Sequence, residues 1–155
     1  MSQTITPAPI RKTLSVRAPP EKAFEVFTAG IDRWWPRTHH IGKAELGRAV
    51  LEPRNGGRWY EVGVDGSECE WGEVLLWEPP RRLMLAWHIT AQFTYDPDGY
   101  TEVDIRFTDA GDGTTRIDFE HRGLERLGAE AGSTIARMDS GWGQILGLFL
   151  AAAEA

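Results

Sequence analysis

The stretch Gly56–Trp87, GGRWYEVGVDGSECEWGEVLLWEPPRRLMLAW, decides the architecture of this 155-residue chain. Asn55-Gly56 opens it as a hairpin joint, because both residues tolerate positive φ. A strand follows over Arg58–Val62, and Asp65-Gly66 turns the chain into a second strand over Ser67–Trp77. Pro79-Pro80 ends that strand, since proline supplies no ladder donor, and Leu83–Ile89 begins the next. Four of the seven tryptophans fall inside this antiparallel meander, so one of its sides is unusually aromatic.

The same reading extends outward in both directions. Ile10–Arg17 alternates, with Ile10, Leu14 and Val16 on one face and Arg11, Thr13, Ser15 and Arg17 on the other. Pro19-Pro20-Glu21 starts a helix, with proline in the first turn and an acid at the positive end of the dipole; Ala23, Phe24 and Phe27 give it an apolar stripe. Gly30 interrupts, and Ile31–Trp35 forms a second short helical piece stopped by Pro36. The loop Arg37–Gly42 carries His39-His40, and Ala49–Glu52 is a short strand leading to the hairpin joint. Beyond the meander, Tyr95–Gly99 is a turn. Thr101–Thr108 then points Val103, Ile105 and Phe107 one way, and Thr115–His121 points Ile117, Phe119 and His121 inward. From Ser133 to Ala153, Ile135, Met138, Trp142, Ile145 and Phe149 recur at helical spacing. Gly141, Gly143 and Gly147 in that helix predict close backbone approach to the sheet or a cavity beside it. An open antiparallel sheet with one apolar face needs a cover, and the last helix is the only long amphipathic element available. The sheet is therefore expected to wrap that helix: an α+β fold with a single domain over residues 10–155 and a loose tail over 1–9.

Composition narrows the function. A net charge of −6, from 17 basic and 23 acidic residues, argues against nucleic acid as a partner. The first nine residues carry neither a basic n-region nor an apolar h-region, and no apolar run approaches a membrane span. One cysteine, Cys69, cannot form an internal disulfide, which fits a reducing compartment; a cytoplasmic location is expected.

Ala18-Pro19-Pro20 with Ala23-Phe24, Trp34-Trp35-Pro36, Gly56-Gly57-Arg58-Trp59, Gly72-Glu73-Val74, Trp77-Glu78-Pro79-Pro80-Arg81-Arg82-Leu83 and Trp87 resemble the helix-grip superfamily of START-related and polyketide-cyclase-like domains. Thr114-Thr115-Arg116, His121-Arg122-Gly123 and Gly141-Trp142 complete the pattern, which resembles most the family named for the C-terminal domain of the chaperone-ATPase activator. The resemblance runs from about Ile10 onward and implies a cavity between the curved sheet and the last helix. Because one such scaffold hosts binders, transfer proteins, cyclases and co-chaperone parts, function has to be argued from the site.

Trp35, Trp71, Trp87, Phe119, Met138 and Trp142 are the expected walls of that cavity, and His121 its polar contact. His121 either hydrogen-bonds a ligand or is a core histidine satisfied internally. Cys69, Trp71 and Trp77 share the inward face of their strand, opposite Glu68 and Glu70. Glu73 faces inward with them unless Gly72 marks a bulge that returns it to water. His88 alternates outward. Adjacent His39 and His40 point apart in an extended segment, and no third ligand at metal spacing accompanies them. Asp96–Gly99 is a turn rather than a calcium loop, and no nucleotide fingerprint or other cofactor motif is present. The expected function is non-catalytic binding of a small apolar or aromatic molecule. Two alternatives stand beside it: a cyclase- or hydrolase-type enzyme using His121 or Glu73, and a module docking on a larger protein partner. The exposed edges of the sheet also allow a homodimer.

Overall fold

The computed structural model describes residues 7–128 and 131–155; most of the predicted tail lies outside them. Strand β1 (Ile10–Val16) leads into helices α1 (Pro20–Phe27) and α2 (Ile31–Trp34). Six strands follow: β2 (Leu46–Leu51), β3 (Arg58–Gly63), β4 (Glu68–Glu78), β5 (Arg82–Trp87), β6 (Thr101–Gly111) and β7 (Thr114–Arg122). A 3-10 turn at Leu124–Leu127 precedes the long helix α3 (Gly132–Glu154). All seven strands form one antiparallel sheet in the order β1-β7-β6-β5-β4-β3-β2, with β1 brought back beside β7. The sheet curls around α3, and the helix-grip α+β fold follows.

The two strands with the cleanest alternation behave as their pattern dictates. Val103, Ile105 and Phe107 of β6 and Ile117 and Phe119 of β7 are buried on the concave face. On the convex face Asp104 is also buried, because Arg82 and Arg122 approach its Oδ2 at 2.9 and 3.0 Å. Burial opposes ionisation of that carboxyl, but the two guanidinium groups prevail and hold it below its ordinary range.

Strand β4 departs from simple alternation twice. Opposite β3 the register slips at Trp71, since Trp59 pairs with Gly72 and Tyr60 with Glu70. Opposite β5 it slips again at Leu75, since Val74 pairs with Leu85 and Leu76 with Met84. Each bulge shifts the side-chain phase by one residue. Trp71 and Val74 therefore both reach the core, Glu73 is returned to solvent on the convex side, and Trp77 comes inward again against Phe24, ring centroids 5.0 Å apart. Gly72 is required here: a Cβ at this position would stand 1.7 Å from the Ala86 carbonyl oxygen.

Helix α3 lies across the concave face. Phe149 packs against Phe27 and Trp34 at 5.1 and 5.4 Å, and Trp142 against Phe119 at 4.6 Å. Lys12 of β1 pairs with Asp139, tying the helix to the edge strand. The glycines of α3 do not serve close approach, because a Cβ at Gly141, Gly143 or Gly147 would meet nothing within 4 Å. Gly143 and Gly147 are exposed, whereas Gly141 borders a cavity.

Candidate functional site

Between α3, the N-terminal half of the loop joining α2 to β2, and the end of β5 lies a cavity of about 290 Å³. Four indoles form its walls: Trp35 after α2, Trp71 at the β4 bulge, Trp87 at the end of β5 and Trp142 on α3. Their rings stand edge to face or tilted, Trp35 4.9 Å from Trp71 and Trp87 5.5 Å from Trp142. Such contacts are each worth about 0.5–1.5 kcal/mol beyond burial, which makes a stiff aromatic box. Met138, Ile41, Ile89 and Ile145 complete the apolar lining. Phe93, half-exposed on the loop after β5, and the polar groups Thr38, His39, His40 and Arg137 stand at the rim.

Three of the four wall indoles are fixed by hydrogen bonds. Trp35 Nε1 donates to the His39 carbonyl at 2.8 Å, which folds the histidine loop over its own tryptophan. Trp71 Nε1 donates to Glu61 Oε1 at 2.7 Å. That carboxylate, itself buried, also accepts from the backbone N–H groups of Ile41 (2.6 Å) and Gly42 (3.2 Å). Glu61 thus clamps the loop and the β4 wall together. Alternation in β3 places Glu61 on the same face as Trp59, two residues earlier, and this was the signal in the sequence that could have identified it as an inward carboxylate.

Trp142 Nε1 donates to His121 Nδ1 at 3.1 Å, and His121 Nε2 stands 2.6 Å from Thr101 Oγ1. An indole N–H can only donate, so Nδ1 carries a lone pair; the neutral ring then holds its proton on Nε2 and donates to Thr101. His121 is fully buried, and burial alone pushes its pKa down to about 3. Both nitrogens are engaged, and the ring stands behind Trp142 rather than on the cavity wall. The structure thus brings Trp35, Trp71, Trp87, Met138 and Trp142 around one space, with Phe119 and His121 packed behind Trp142 as its support.

Of the other candidates, Glu73 stands outside the sheet, its Oε1 3.8 Å from His88 Nε2. His88 lies on the convex face as its alternation requires, yet it is buried under the loop after β5, with Nδ1 donating to the Asp96 carbonyl at 2.8 Å. The Cys69 thiol is raised by burial, and then by Glu61 nearby, which disfavours the reactive thiolate. His40 Nδ1 donates to the Gly42 carbonyl at 2.9 Å; burial lowers the pKa of His39. Among the described residues no three side chains form a metal-ligating cluster, and no helix is long and apolar enough to cross a membrane.

A curled sheet gripping one helix over an aromatic-walled space defines a helix-grip domain with a ligand-sized cavity. The chain belongs to the family of Activator of Hsp90 ATPase homolog 1-like proteins, whose model matches residues 17–154. Among solved structures it is 36% identical to the anthrahydroquino-gamma-pyrone synthase Txn09, with 94% of this chain and 96% of that chain covered at a TM-score of 0.67. It is 30% identical to CalC from Micromonospora echinospora, a self-sacrificing resistance protein, with 94% and 93% covered at a TM-score of 0.72. An HSP90 activator from Plasmodium falciparum, 19% identical with 88% of both chains covered and a TM-score of 0.59, shares the fold. No curated protein matches the chain.

Proposed function

We propose that this protein binds a small planar aromatic molecule in the cavity between the sheet and α3. The observation that carries the reading is the box of Trp35, Trp71, Trp87 and Trp142 around about 290 Å³ of space. That volume is at the lower end of the roughly 300–1,000 Å³ typical of small-molecule sites, and suits a compact ring system rather than a long lipid. Flat apolar rings gain both burial and edge-to-face contacts from such walls. The rim groups, Arg137 above all, favour a polar or anionic substituent directed outward. Likeness to an anthrahydroquino-gamma-pyrone synthase supports a fused aromatic compound as the class of ligand.

A catalytic version of this reading is favoured by the 36% identity to the synthase. His39 and His40 are the rim groups suited to moving a proton in it, since His121 is fully engaged and Glu73 lies outside the sheet. The test common to both versions is a fluorescence titration with a flat aromatic acceptor such as anthracene-2-sulfonate. Quenching of the indoles should saturate and be matched by sensitised anthracene emission. A linear, unsaturable response would count against the reading.

A further inference from the structure

The loop after β5 closes as a small hairpin that borders the cavity. Asp96 N–H donates to the His88 carbonyl at 2.9 Å, Ile89 bridges to Tyr95, and Thr90 N–H donates to the Thr94 carbonyl at 2.8 Å. Phe93 N–H donates back to the Thr90 carbonyl at 2.9 Å, and the hydroxyls of Thr90 and Thr94 meet at 2.8 Å. Ala91, Gln92 and Phe93 thus span the tip. Hairpin tips of this length place their last residue in the left-handed region, a position that favours glycine. Here that residue is Phe93, with φ at 60°.

Two features of this residue run against stability. A bulky side chain at positive φ is strained, whereas Asp112, the other non-glycine residue in that region among the described residues, is short and polar and is tolerated there. The Phe93 ring is also 47% exposed, although it lines the cavity together with Ile89 and Met138. Among the described residues it is the one exposed apolar side chain of the lining; Trp35, Trp71 and Trp142 are buried. Phe93 therefore marks the mouth and the indoles mark the interior. A strained backbone that presents an exposed aromatic ring to a cavity points to a contact made only when the cavity is filled.

We infer that Phe93 is a ligand-binding residue whose ring covers the outer edge of an aromatic molecule held by the four indoles. The inference rests on the aromatic-ligand reading and deepens it by assigning the group that closes the mouth. The hairpin needs no movement to do so, because its hydrogen bonds already hold Phe93 at the cavity edge. A side chain placed in advance loses little freedom on binding, so its contact counts toward affinity. Glycine at this position would favour the hairpin and forfeit the contact, and the sequence keeps phenylalanine at the expense of stability.

Calorimetric titration of anthracene-2-sulfonate into the wild type, Phe93→Tyr and Phe93→Asn tests this. Asparagine tolerates the left-handed region, so Phe93→Asn should match or exceed the wild-type Tm. Its affinity should fall about fivefold to tenfold, the worth of one aromatic contact with the burial that accompanies it. Phe93→Tyr, which keeps the ring, should stay within about twofold of the wild type. Proton NMR of the wild-type complex gives a second readout that does not depend on a variant folding: nuclear Overhauser contacts should join the Phe93 ring to anthracene protons. Equal affinity in a folded Phe93→Asn, or saturable wild-type binding without those contacts, overturns the inference and leaves aromatic binding intact. Absence of saturable binding to the wild type overturns both.

Discussion

Acidification should destabilise this fold through His121, well before its carboxylates are protonated. In the native state the ring is sealed behind Trp142, with Nδ1 accepting from the indole and Nε2–H donating to Thr101, and its pKa is about 3. In the unfolded chain the same imidazole titrates near 6.5. Between these values the unfolded state binds a proton that the native state refuses, so stability falls as the pH drops below about 6.5 and stops falling near 3. From pH 7 to pH 5 the loss integrates to about 2 kcal/mol, or roughly 4–8 °C in Tm for a domain of this size. Urea unfolding followed by tryptophan fluorescence at the two pH values measures it. His39, also lowered by burial, adds to the wild-type slope, so the decisive quantity is the difference from His121→Gln. Glutamine can accept from Trp142 and donate to Thr101 without titrating. The variant should be less stable at pH 7 but lose about 2 kcal/mol less on acidification. An unchanged pH slope in the variant would refute the neutral, buried assignment of His121.

Other consequences follow from single residues. Gly143→Ala and Gly147→Ala, at open positions of α3, should each stabilise by about 0.5–1 kcal/mol in thermal or chemical unfolding. Gly72→Ala, whose new Cβ would collide with the Ala86 carbonyl, should instead cost roughly 3 kcal/mol or more. Glu61→Ala removes the acceptor of Trp71, Ile41 and Gly42 at once; it should cost about 3 kcal/mol, and hydrogen exchange at Ile41 and Gly42 should accelerate.

Much of this arrangement is legible in the sequence, and the limits of legibility have physical causes. Strands β6 and β7 declare themselves because period-two alternation survives intact, and α3 because its apolar residues keep helical spacing. The role of Glu73 turns on a bulge, which changes the phase of a strand without changing its composition; the slip is centred on Trp71, one residue before the glycine that makes room for it. Pocket and core are harder to separate, since both demand apolar side chains pointing inward. Met138 and Phe119 satisfy that pattern equally, yet Met138 lines the cavity while Phe119 packs 4.6 Å from Trp142 behind it. The clamp by Glu61 depends on the loop at Ile41 and Gly42 folding back, a contact 19 or 20 residues away along the chain that no local pattern encodes.

Uptake of an aromatic ligand in the space beside α3 is challenged most directly at Gly141. This glycine lines the cavity, and a Cβ there meets nothing within 4 Å, so Gly141→Leu should start without a backbone clash and fill the entrance while preserving the helix. Calorimetric titration of anthracene-2-sulfonate should give one saturable site in the wild type. In Gly141→Leu the affinity should fall at least about tenfold, the equivalent of 1.4 kcal/mol, with the Tm retained. Absence of saturable binding to the wild type, or equal affinity in a folded Gly141→Leu, would contradict aromatic binding beside α3.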